Sequence, residues 1–159
     1  MIEETLFHAE CVLIGVNVTS KKQLFQDVAT ALVKTHNLVE NEIAVRDIVS
    51  AAVERERLGS TGVGNGVALP HARVKGLDKV LAAFVRLDTP LDFDAVDDRP
   101  IDLAVFLLAP EDAGSVHLRT LAHVSRLMRR QDVRTRLRAA PSTEALYTIL
   151  SEQQEATAA

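Results

Sequence analysis

The sequence predicts one α/β domain. Helical and strand-like apolar patterns alternate along the whole chain, no repeat or low-complexity linker divides it, and its 159 residues match the size of one domain with one core. At that length folding buries roughly two thirds of the surface the unfolded chain exposes, so neither a disulfide nor a metal is needed for stability.

The elements follow in order. Cys11 to Val18, rich in β-branched residues, predicts a strand with Cys11 as a buried thiol. Ser20, with Gln23 three places on, has the pattern of a capping box. The helix after it carries Leu24, Val28, Ala31, Leu32 and Thr35 on one face. A second helix, from about Asn41 to Leu58, repeats the pattern with Ile43, Ile48, Ala52 and Val53. Gly59 to Gly66 places four glycines in eight residues and ends helical order. Val67-Ala68-Leu69 is a short apolar piece, and Pro70 biases Leu69 to an extended backbone. Strands are predicted at Val80–Leu87 and Ile101–Leu108 with an acidic loop between them, Leu91-Asp92-Phe93 being a marginal strand candidate. A long helix from about Ser115 to Arg130 is read with Leu118, Leu121, Ala122, Ser125 and Met128 on its apolar face. Short helices at Asp132–Arg138 and Thr143–Leu150, the latter with Ser142 as N-cap, close a domain spanning residues 5–151, and residues 152–159 are predicted to fray. The pattern leaves the strand directions open.

Composition narrows the function classes. A net charge of −4 and a pI near 5.7 argue against bulk affinity for nucleic acid or a membrane surface. One cysteine can form neither an internal disulfide nor a multi-thiolate zinc site. Glu3 and Glu4 stand where a secretory leader would be basic, and the longest apolar run, Leu103 to Pro110, is too short to span a bilayer. The expected location is the cytoplasm, with no membrane insertion.

The densest local signal is Gly59-Ser-Thr-Gly-Val-Gly-Asn-Gly-Val-Ala-Leu-Pro-His71. It is not a dinucleotide fingerprint, which follows a strand and opens a helix; here the loop follows a helix and opens a strand. No Gly-Lys-Ser/Thr is present for a nucleotide phosphate loop, and no cofactor is expected. A glycine-rich loop can still aim successive N–H groups at an anion. Gly62 and Gly64, with donors from Ser60, Thr61 and Asn65, are therefore candidate phosphate-binding residues. His71 stands just past the loop, after a proline of fixed φ. Its neutral imidazole suits phosphoryl transfer, which between two such rings is nearly isoenergetic and requires mainly positioning and charge neutralisation.

The run Arg55-Glu-Arg-Leu-Gly-Ser-Thr-Gly-Val-Gly-Asn-Gly-Val-Ala-Leu-Pro-His71 resembles the active-site segment of the fructose/mannitol-type enzyme IIA (EIIA) domains of the bacterial sugar phosphotransferase system (PTS), and within them the nitrogen-regulatory branch, IIA-Ntr. The likeness continues through Thr89 to Asp102, His117 to Ala122 and Arg136 to Ser142, covering about residues 5–151. It implies a mixed β-sheet flanked by α-helices and reversible phosphorylation of His71 on Nε2. It implies as partners HPr or its nitrogen-branch relative as phosphoryl donor. Downstream it implies either regulatory targets, among them potassium-transport or sensor-kinase components, or a separate EIIB. Arg55 matches the family's site arginine, a permanent cation that can fork onto phosphate oxygens. His117 matches its second site histidine. Ala72 stands where the family usually has glycine, which matters if that position needs positive φ. Arg73 stands where lysine or threonine is common.

Other features have plainer readings. His8, His36 and His123 read as structural or exposed. Asp88, Asp92, Asp94, Asp97, Asp98 and Asp102 lack the glycine and terminal glutamate of a calcium loop and read as turn aspartates. A metal site from His71, His117 and an aspartate is conceivable, but no His-Glu-x-x-His motif accompanies it, and no metal is predicted. The arginines from Arg119 to Arg138 read mainly as a solvated helical surface, secondarily as a docking face for an acidic partner. No nucleic acid is expected as a partner, because stacking aromatics are missing from that stretch. The chain closes without an attached transfer or membrane domain, which favours a regulator over a sugar-transport subunit.

Overall fold

The computed structural model describes residues 6–158, with side chains to residue 153; Glu3 and Glu4 lie outside them. The elements run β1 (Phe7–Val16), α1 (Lys21–His36), a 3₁₀ turn (Leu38–Asn41), α2 (Val45–Arg57), β2 (Gly62–Gly64), β3 (Val67–Ala68), β4 (His71–Val74), β5 (Leu81–Leu91), β6 (Ile101–Pro110), α3 (Ser115–Arg129), α4 (Gln131–Ala139) and α5 (Thr143–Ala158).

β6 is apolar at nearly every position, the composition of a strand covered on both faces, and it lies at the centre of the sheet. Its alternate residues serve two cores. Ala104, Phe106 and Leu108 join Leu24, Phe25, Leu32 and Ile48 of α1 and α2. Leu103, Val105 and Leu107 join Val124, Leu127, Leu137 and Leu150 of α3, α4 and α5. The result is a helix–sheet–helix sandwich.

The sheet is mixed, in the order β1-β5-β6-β3-β2, with β4 also on β6. β5 and β6 are antiparallel, β1 runs parallel to β5, and β3 and β4 lie one after the other, parallel to the same edge of β6. β2 and β3 form an antiparallel hairpin across Asn65-Gly66. Gly66 has φ +76°, and a Cβ there would meet Arg138 Nη2 at 2.5 Å, so the turn requires glycine.

Most predicted elements appear with shifted ends. β1 begins at Phe7 rather than Cys11, because on this edge strand polar His8 and Glu10 can stay exposed. Cys11 is fully buried, and burial raises its thiol pKa. Ser20 Oγ accepts the Gln23 N–H at 3.1 Å as a cap should, while the Gln23 side chain reaches back to Thr19. On α1, Phe25 and Ala29 are buried instead of Ala31 and Thr35. The second helix starts at Val45, since Glu42 takes a left-handed φ of 61° and Asp47 Oδ2 caps the Ala44 N–H. Ser142 caps α5 through the Ala145 N–H. The backbone of α5 runs on to Ala158 through residues expected to fray, because no glycine or proline stops it.

Two differences bear on the site. The glycine-rich stretch runs into a hairpin, β2–β3, ahead of β4, which His71 opens; none of these three strands is long enough to show periodicity. On α3 the buried face is His117, Val124, Leu127 and Met128, whereas Leu118, assigned to the core from its apolarity, is 61% exposed. The spacing 117, 121, 124, 128 is helical, but a histidine at its head hid it.

Candidate functional site

His71 is fixed from both sides by its own chain. Pro70 keeps Leu69 extended, the Pro70 carbonyl accepts the Leu107 N–H at 3.0 Å, and His71 sits in register with Leu107 at the start of β4. Its Nδ1 lies 3.0 Å from the Leu69 carbonyl. Arg55, in the last turn of α2, directs Nε–H to His71 Nε2 at 3.2 Å and Nη1–H to the Gly59 carbonyl at 2.9 Å. A carbonyl can only accept and a guanidinium can only donate. These neighbours therefore select the tautomer with its proton on Nδ1 and a lone pair on Nε2.

Electrostatics agree with a neutral ring. Burial pushes the His71 pKa below the ordinary value, with the charges of Arg55 and Arg73 adding to the shift; the Leu69 carbonyl and Glu56 oppose it. His117, in the first turn of α3, is buried at 3% exposure, with its ring centroid 5.4 Å from that of His71. Its pKa is also lowered, first by burial and then by His71 and Arg73. Nδ1 of His117 is buried without a hydrogen-bond partner, an arrangement costly enough to warrant a functional explanation.

Arg55, His71 and His117 thus meet in one cleft of about 260 Å³, which Ala51, Ala72, Arg73, Leu118 and Leu121 also line. Arg73 is a residue that sequence reasoning did not assign to the site. Its position two places after His71 in an extended strand, hence on the same face, was the available signal. Ala72 has an ordinary strand backbone, with no positive φ, and its methyl is buried, so the missing glycine strains nothing.

The loop residues predicted to bind phosphate are elsewhere. Ser60, Thr61, Gly62, Gly64 and Asn65 do not line this cleft. The Thr61 N–H and hydroxyl go to Glu56, the Gly62 N–H to Ser60 Oγ, the Ser60 hydroxyl to the Phe93 carbonyl and the Asn65 N–H to Asp97 Oδ2. Gly62 and Gly64 lie within β2, where Gly62 packs on Ala95 too closely for a Cβ. The glycines make a hairpin, because the folded protein supplies acceptors that a free loop would lack. Among the described residues no group of three or more histidine, cysteine or acidic side chains could hold a metal, and no helix is long and apolar enough to cross a membrane.

Comparison with known proteins extends this geometry. The family model for the phosphoenolpyruvate-dependent sugar phosphotransferase system, EIIA 2, matches residues 5–153. A nitrogen regulatory protein of Bradyrhizobium diazoefficiens is 43% identical over 142 residues, covering 89% of this chain and 90% of that protein. The crystal structure of nitrogen regulatory protein IIA-Ntr from Neisseria meningitidis superposes with a TM-score of 0.83 at 33% identity, over 91% of this chain and 96% of that one. The Escherichia coli complex of enzyme IIA-mannitol with phosphorylated enzyme IIB-mannitol shares the fold, with a TM-score of 0.74 at 19% identity over 92% and 97% of the two chains. The chain therefore belongs to the EIIA type 2 family of the phosphoenolpyruvate-dependent sugar phosphotransferase system.

Proposed function

We propose that this protein carries a phosphoryl group on His71 Nε2, received in the cytoplasm from HPr or an HPr-like phosphocarrier, and that its phosphorylation state controls binding to regulatory targets. The observation that supports the reading best is the pair of partners on the His71 ring, a carbonyl at Nδ1 and a guanidinium N–H at Nε2, which together call for a lone pair on Nε2 beside a second imidazole in the cleft. The phosphoryl group moves as PO₃⁻. The P–N bond to the donor ring breaks as the bond to Nε2 forms, and each ring keeps its N–H proton. The ring of His71 gains the positive charge that the donor ring loses, and the Leu69 carbonyl on Nδ1–H favours that charge. As the new bond forms, Arg55 Nε–H exchanges the nitrogen for phosphoryl oxygen, with Nη1 anchored on Gly59. His117 supplies a second donor, or holds the geometry.

Phosphorylation adds roughly −1.5 to −2 charge to a cleft lined in part by exposed Leu118, a change able to reverse partner preference. Relatives described as nitrogen regulatory proteins favour a regulator over a sugar-transport subunit serving a separate EIIB. No small-molecule turnover is required of it. Incubation with phosphoenolpyruvate, the first enzyme of the cascade and a phosphocarrier tests the proposal. One acid-labile phosphoryl group per chain is expected, abolished in His71→Ala. Acid-stable phosphate on Ser60 or Thr61 would overturn it.

A further inference from the structure

Next to Arg55 at the end of α2 stands an acid that does not face solvent. The Glu56 side chain is 7% exposed. Its carboxylate accepts the Thr61 N–H at 3.0 Å, the Thr61 hydroxyl, and Lys21 Nζ at 2.9 Å. Lys21 is held in turn over the Phe93 ring, 4.5 Å from its centroid, and 3.6 Å from Asp94. Thr61 is 5% exposed, and its carbonyl accepts the Leu69 N–H at 2.9 Å. The Leu69 carbonyl is the group that faces His71 Nδ1 at 3.0 Å.

From this chain of contacts we infer that Glu56 is a positioning residue: through Thr61 and Leu69 it fixes the tautomer of His71 that leaves Nε2 nucleophilic. The carboxylate bonds to Thr61 and Lys21, not to the ring, and Glu56 does not line the cleft. It acts by pinning both polar groups of Thr61, which sets where the Thr61 carbonyl holds Leu69. The same helical turn anchors Arg55, so one end of α2 holds both nitrogens of His71, Nε2 directly and Nδ1 through the chain Glu56–Thr61–Leu69. If the Leu69 carbonyl drifts, Arg55 alone is left to select the tautomer, and the share of the form protonated on Nε2, which has no lone pair there to attack phosphorus, rises.

The inference concerns the reaction proposed above, so its test has one arm that does not need phosphate. In ¹⁵N-histidine-labelled wild-type protein, NMR of the unphosphorylated ring should show His71 protonated on Nδ1. The near-isosteric variants Thr61→Val and Glu56→Gln should each shift the ring nitrogens toward a tautomer mixture. They should also slow uptake from the phosphocarrier about ten- to a hundredfold, the scale of a small misplacement. The double variant should be no slower than the slower single one, because both cut the same chain of contacts. Thr61→Val leaves all the charged and titratable groups around the ring in place, namely Arg55, Arg73, His117 and the Glu56 charge, so it reads the chain of contacts apart from the charge that Glu56→Gln also removes. If both variants melt at lower temperature yet keep wild-type ring shifts, or keep the wild-type rate, Glu56 serves stability alone and the inference falls. If the tautomer shifts as stated but wild-type His71 takes up no phosphate, the positioning role stands and the phosphoryl-carrier reading falls.

Discussion

Arginine is used in opposite ways on the two sides of this molecule. In the cleft, Arg55 gives Nε–H to an imidazole nitrogen, a weak and replaceable acceptor, and His117 Nδ1 has none. Around α4 the guanidinium groups are satisfied by strong acceptors. Arg138 forks onto both oxygens of Asp102 at 2.9 Å and gives Nη2 also to the Asn65 carbonyl at 2.7 Å. Arg134 caps α3 through the Met128 and Arg129 carbonyls, Arg130 pairs with Asp132, and Arg136 pairs with Glu152. A basic stretch that reads in the sequence mainly as a solvated helical surface, and secondarily as a docking face, therefore carries in Arg130, Arg134, Arg136 and Arg138 side chains that brace the fold. Completed hydrogen bonding makes a structural arginine, whereas incomplete bonding leaves a group ready to meet an incoming oxygen.

Exchanging the two kinds of arginine breaks the comparison most directly. Arg55→Ala should cut the rate of phosphoryl uptake about 10²- to 10³-fold, the effect of losing one transition-state donor, while leaving the melting temperature nearly unchanged. Stopped-flow or quench-flow transfer from the phosphocarrier measures it, and a wild-type rate would remove Arg55 from the chemistry. Arg138→Ala should do the reverse. It should lower unfolding free energy by about 1–2 kcal/mol, discounted for partial exposure, with transfer unaltered. Denaturant melts and the same transfer assay check both halves.

Acid sharpens the contrast within the cleft. His71 and His117 both have pKa values held below the ordinary 6.5, so both rings are neutral at pH 7. Transfer should be flat above about pH 7 and decline as pH falls through the His71 pKa, where the lone pair on Nε2 is lost. Stability has the same sign. An unfolded chain binds these protons first, so the contribution of the neutral rings is full above 6.5 and is lost as pH falls through their folded values. NMR titration of the ring protons reads the pKa values directly, and a His71 value above 6.5 would contradict the burial argument. The smallest effect is expected from Ala72→Gly, which restores the usual family residue. Since position 72 is ordinary buried strand, the change should cost about 0.5–1 kcal/mol and gain no rate; faster transfer would mean that the backbone after His71 limits the chemistry.

Much of this protein is legible in one dimension because its causes are local. The caps at Ser20 and Ser142 and the apolar run of β6 depend on near neighbours in sequence, and each appears where pattern and side-chain chemistry put it. Resemblance supplied the trio Arg55, His71 and His117, and the fold brings them together although 62 positions separate the first from the last, the difference 117 − 55. Tertiary structure alone decided what the glycines are for. The acceptors that occupy the loop's donors come from Glu56, Phe93 and Asp97, two of them more than thirty residues away, with spacings of 33 and 32, and no local rule announces them. It also decided which face of α3 is buried, because packing, not apolarity, put His117 inside and Leu118 out. Local chemistry chose the elements, while long-range packing chose which polar groups would be satisfied and which would be left open to react.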